Sequence, residues 1–181
     1  HMVIRAIVYA ETKEEAFEKA TEIFDKLCGT EENPGVFDYY TTFDDKTSSV
    51  SGPARWGNLP VVTRADSPEG KQLIDEGMDA TWEEFQGNME KVRKAVEFFT
   101  DEEIFEERVS KEREVAMELG GDKEEQYLLG MARYYMYSAG KYSGSNVFLY
   151  DNDGEGIRSR RELANVLNKY ADLYTDQENV W

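Results

Sequence analysis

The chain has 181 residues, 38 of them acidic and 21 basic, for a net charge of −17, with 40% apolar and 13% aromatic residues. That length suits one domain with a proper core, and the apolar share excludes wholesale disorder. The charge repels nucleic acid and anionic membranes, so neither is expected as a direct partner.

In chain order, His1-Met2 reads as a cloning remnant ahead of the native start. His1 is the one histidine; with it set aside, triads and dyads that need an imidazole base are excluded. Residues 3–10 (VIRAIVYA) are rich in β-branched side chains and are expected as a strand. Thr12 and Glu15 have the spacing of a capping box, in which each side chain serves the other's free backbone N–H. Ala16, Phe17, Ala20, Ile23, Phe24 and Leu27 follow at helical spacing, and Gly29 supplies a stop. Cys28 is the single cysteine. An internal disulfide and a structural zinc site are therefore excluded, which fits a reducing, cytoplasmic setting.

Residues 36–43 (VFDYYTTF) alternate Val36, Asp38, Tyr40 and Thr42 against Phe37, Tyr39, Thr41 and Phe43, the pattern of a half-buried strand. Residues 48–52 are expected to pair with it across the Asp44-Asp45-Lys46 turn. The loop 51–60 (SGPARWGNLP) holds Arg55 beside Trp56, residue types enriched where proteins grip one another. An aromatic anchor pinning the loop to the core is the competing reading.

Ser67-Pro68 opens a short helix through about Met78. Thr81/Glu84 forms a second capping box, and Trp82, Phe85, Met89, Val92, Val96 and Phe99 predict an amphipathic helix after it. Thr100/Glu103 starts a charged helix that carries Ile104 and Phe105 and ends at Gly120-Gly121. Residues 124–138 are apolar nearly all round and predict a helix buried on more than one side. Residues 137–145 (YSAGKYSGS) place Lys141 beside Gly140, but without Walker spacing they read as a helix-to-strand connection. Residues 146–150 (NVFLY) predict a buried strand.

In the next stretch Asp151, Asp153, Glu155, Gly156 and Glu162 fall into the register of a calcium loop. Arg158 occupies the position of the apolar residue, and Arg160 and Arg161 oppose a cation. Ser159/Glu162 also forms a fourth capping box. A turn running into a helix is the favoured reading; Asp151, Asp153 and Glu155 stay as candidate metal ligands. No cofactor is implied. No apolar run approaches the roughly 18 residues of a membrane span.

The stretches VFDYYTTFDD, ARWGNLP and NVFLYDNDGEGIRSRREL resemble small acidic proteins of unknown function from haloarchaea and their viruses. The resemblance implies a salt-rich cytoplasm, in which an acidic shell keeps a surface hydrated. It carries no catalytic residues.

The expected fold is a single α+β domain over 1–181. Its small sheet has about four strands, mainly antiparallel on the ferredoxin-like split β-α-β plan, with a helical insertion over about 67–139. The expected function is a non-catalytic accessory or interaction protein acting through a protein partner, with Tyr39, Arg55 and Trp56 as its contact residues. Self-association is left open. One alternative is a DNA-mimic inhibitor using the acidic helix 101–118, although Arg108, Lys111 and Arg113 interrupt its charge. A second is a carboxylate-dependent metal enzyme.

Overall fold

The computed structural model describes residues 2–30, 35–45, 48, 53–106, 132, 134–137, 147–173 and 179–181. The chain divides into two compact units, residues 1–82 with 147–181, and residues 83–146.

In the first unit, β1 (Arg5–Ala6) and β2 (Leu149–Tyr150) pair in parallel, Arg5 opposite Leu149 and Ala6 opposite Tyr150. Arg5 N donates to Phe148 O at 3.0 Å and Ile7 N to Tyr150 O at 2.8 Å. Single antiparallel bridges flank this pair, Tyr9 with Val180 and Tyr150 with Gly156. Val8 and Trp181 exchange both backbone hydrogen bonds, at 2.9 and 2.8 Å. Ile7, Met78, Leu149, Ile157, Leu163, Tyr170 and Val180 close over these segments as one buried apolar cluster. Each such side chain contributes about 1.5–3 kcal/mol when withdrawn from water.

The expected sheet of about four mainly antiparallel strands is therefore corrected. The molecule is mostly helical, and among the described residues its one sheet holds two short parallel strands. The main loss is the segment 36–43, which is irregular. Its backbone N–H groups at Val36 and Phe37 both turn to Leu27 O, at 2.6 and 3.1 Å, and so serve a helix end instead of a neighbouring strand. Tyr40 packs on Phe24 with ring centroids 5.5 Å apart, and Phe37 meets Tyr150 edge-on at 6.5 Å. Alternation alone could not separate this draped segment from a strand. The partner expected at 48–52 lies outside the described residues, Ser48 excepted.

Helix starts follow the sequence more closely. The first helix, α1 (Lys13–Cys28), begins with Thr12 Oγ1 accepting from Glu15 N at 3.2 Å, and it ends at Gly29, whose φ of 71° an L-residue adopts only with strain. Ala16 and Ile23 form its buried stripe. A four-residue turn, α2 (Pro53–Trp56), follows.

Pro68 then opens α3 (Pro68–Phe98), a helix of 31 residues, where two helices were expected. Ser67 Oγ caps it, accepting from Gly70 N at 2.9 Å. Thr81, expected as an N-cap, lies in the helix interior and is 1% exposed. Its hydroxyl donates back to Gly77 O at 2.8 Å and accepts from Phe148 N at 3.2 Å, so α3 is tied to the chain beside β2. Thr81, Asn88 and Ala95, seven residues apart, are buried along α3 together with Met78, while Trp82 and Val96 of the expected stripe are 56% and 54% exposed.

In the second unit, α4 (Asp101–Glu106) has a reciprocal capping box. Thr100 Oγ1 accepts from Glu103 N at 3.2 Å, and Glu103 Oε2 accepts from Thr100 N at 3.0 Å. Ala95, Phe99 and Ala132 form a buried cluster with Ile104 packed against it. Lys91 Nζ stands 4.7 Å from the ring centre of Tyr135. Within the predicted helix 124–138, residues 134–137 are helical, with Ala132 and Tyr135 buried and Tyr134 and Tyr137 exposed. The rest of that helix, the predicted helical stretch 107–120 and the Lys141 loop lie outside the described residues. The last helix, α5 (Arg160–Leu173), returns to the first unit and buries Leu163 and Tyr170. Among the described residues no helix is long and apolar enough to cross a membrane.

Candidate functional site

Pro53 supplies the fixed φ that starts α2, and the single turn sets Arg55 and Trp56 side by side. The Arg55 guanidinium carbon lies 5.0 Å from the centre of the Trp56 ring. A cation over an indole face at a wet site is worth about 0.5–1 kcal/mol, enough to favour one pose for two otherwise loose side chains. Arg55 is exposed and Trp56 half-buried.

Tyr39 lies on the separate segment 35–45 that leans on α1, and it is 61% exposed. Its neighbour Tyr40 turns inward and donates from its hydroxyl to Asp25 Oδ1 at 2.9 Å. Burial pushes the Tyr40 phenol above its ordinary range, and the Asp25 carboxylate adds to the shift. Cys28, half-buried nearby, has its thiol pushed up by burial and then by the charges of Asp25 and Asp38. A thiol held in its neutral form is a poor nucleophile.

The acidic stretch after β2 folds as a tight turn. Asp151 Oδ1 accepts from Asp153 N and from Glu155 N, both at 2.9 Å, while Asp151 N donates to Glu155 O at 2.9 Å. Gly154 takes φ of 80°, the left-handed conformation that closes this turn. Asp153 pairs with Lys169 Nζ at 3.4 Å. Ser159 Oγ accepts from Glu162 N at 3.2 Å, and Glu162 Oε2 accepts from Arg158 N at 2.8 Å. Asp151, Asp153 and Glu155 are thus neighbours on one turn whose Asp151 carboxylate faces the backbone. Among the described residues no three His, Cys, Asp or Glu side chains form a group that could hold a metal ion.

Arginines bind other acids into place. Arg160 reaches Asp75 at 2.6 Å and Asp79 at 3.1 Å, and Arg5 reaches Glu76 at 2.9 Å. The two carboxylates of Asp75 and Asp79 hold the Arg160 guanidinium above its usual pKa, whereas burial lowers that of Arg5. Of the acidic helix 101–118, the described part exposes Asp101, Glu102 and Glu106, but Glu103 is buried in its capping box. The sequence did not reveal the buried places of two polar residues of α3: Thr81 was read as an N-cap, and Asn88 stands among stronger apolar signals. Their spacing of seven residues with Ala95 was the one available hint.

No curated protein and no solved structure matches the chain. Residues 1–180 match the family described as a domain of unknown function, DUF7995, and the chain belongs to that family.

Proposed function

We propose that this chain is a non-catalytic interaction protein that acts through a protein partner, with the Arg55–Trp56 turn as its contact. The reading is carried by the guanidinium stacked on the indole at 5.0 Å, on a turn whose arginine is exposed. Such a stack offers a broad amphipathic face and a charge in a pose that is already favoured, so less side-chain freedom remains to be lost on binding. Tyr39, 61% exposed, supplies a second aromatic of the kind that contact surfaces favour. A salt-rich archaeal or viral setting suits the net charge of −17, since concentrated salt screens the mutual repulsion of the carboxylates.

The test is affinity capture from the source cell at its own salt concentration, with wild type, Trp56→Ala and Arg55→Ala as baits. Trp56→Ala is expected to lose the partner while keeping a nearly unchanged thermal midpoint, and Arg55→Ala to weaken capture without unfolding. If Trp56→Ala unfolds, the indole is a packing residue and Arg55→Ala alone decides. Full capture by a folded Arg55→Ala then removes the contact from this turn.

A further inference from the structure

Asn88 lies on the inward line of α3 within the second unit and is only 4% exposed. Among the described residues its Nδ2 meets no hydrogen-bond partner. Thr81, seven residues earlier on the same line, shows the ordinary solution, its hydroxyl both donating and accepting. Ala95, seven residues later, is fully buried and carries no polar atom on its side chain to satisfy. A buried amide without a protein partner forfeits hydrogen bonds it made to bulk water, and that loss weighs on the folded state. An opened state does not, because water then reaches the amide.

We propose that Asn88 is a built-in weak point that sets how easily the described part of the second unit opens, letting residues 83–106 part locally from 132 and 134–137 while the first unit stays folded. Several observations agree. Among the described residues, the cluster at Ala95, Phe99 and Ala132 is partly made of alanines, which withdraw little surface. Tyr134 and Tyr137 are already exposed, so opening uncovers little more of them. Lys91 meets Tyr135 by a cation–ring contact that water weakens. Segments that open at low cost are where proteins change shape. The proposal holds whether or not the Arg55–Trp56 turn binds a partner.

Native-state hydrogen exchange of the full chain tests it. The reporter is the Phe99 amide, bonded to Ala95 O at 2.9 Å, and the references are the amides of Ile7, Val8 and Ile157 in the first unit. Asn88→Leu removes the orphan amide and is expected to slow exchange at Phe99 by about tenfold or more while leaving the references unchanged. Because leucine is larger and can overpack, Asn88→Ala is measured beside it; an ordinary truncation speeds exchange, whereas loss of an orphan amide slows it. Slower exchange at Phe99 in either variant, with constant references, supports the proposal. Unchanged or faster exchange in both variants, or equal slowing in both units, overturns it.

Discussion

Asp151 brings one carboxylate oxygen to two backbone N–H groups, and this decides the shape of the chain between β2 and α5. Asp151→Ala leaves both donors without that acceptor and is expected to lower stability by about 1–2 kcal/mol. Asp151→Asn keeps an oxygen at the same place and should recover most of the loss. Urea unfolding of the two variants checks it, and equal losses would show that the oxygen does not hold the turn. The residues of this turn were legible in sequence, since acid spacing, a glycine and a capping box together spell a turn into a helix. The bond from Lys169 to Asp153 was not, because it joins residues 16 apart that only the return of α5 brings together. Likewise Arg55 and Trp56 were legible as a pair, being adjacent, whereas alternation did not tell which side of 36–43 meets the protein: Tyr40 turns inward and Tyr39 outward.

Three of the four expected capping boxes begin helices, at Thr12, Thr100 and Ser159. The fourth, at Thr81, is the same signature set inside a helix. A threonine followed three places on by a glutamate fits an interior turn as well, and the deciding atom is Phe148 N, 67 residues away. Thr81→Val is therefore expected to cost about 1–3 kcal/mol by leaving Phe148 N without its acceptor, with no loss of helix at the N-terminal end of α3. Thr81→Ser keeps the hydroxyl and should stay close to wild type. Circular dichroism with thermal melts separates the cases, and a Thr81→Val protein as stable as wild type would show that the hydroxyl contributes nothing. The strand expected at 36–43 failed for a related reason. Period-two patterning records which side chains face the protein, but not whether the backbone has a neighbour to bond, and here the end of α1 took that role.

For the molecule as a whole, most described helices and the places of both strands were readable and the strand pairing was not, because caps and stripes are local whereas pairing depends on distant chain. Net charge was readable at once, yet its distribution into pairs such as Arg160 with Asp75 and Asp79 was not. Stability should also carry an alkaline limit. Burial raises the Tyr150 phenol above its ordinary value, and its hydroxyl donates to Val147 O at 3.3 Å. A group whose folded pKa lies above its unfolded value contributes fully below the unfolded pKa, about 10 for tyrosine, and loses that contribution as pH rises further. Tyr40 and Cys28, also raised, act in the same direction. Thermal midpoints taken from about pH 8 to about pH 11 should therefore fall, and Tyr150→Phe should flatten the fall. Parallel curves for the two proteins would remove Tyr150 from the account.

The pairing of Arg5 with Leu149 also has a consequence on the ribosome. Ile7 and Tyr170, which share a hydrogen bond, are 163 residues apart in the chain. Synthesis proceeds from one end, so the first strand emerges long before anything it can pair with. The stretch 83–146 is continuous in sequence and can take shape while the earlier segments are still waiting. Closure of the remainder falls after translation of α5, and a dense complement of carboxylates, through mutual repulsion, disfavours clumping of chains that wait in the interval.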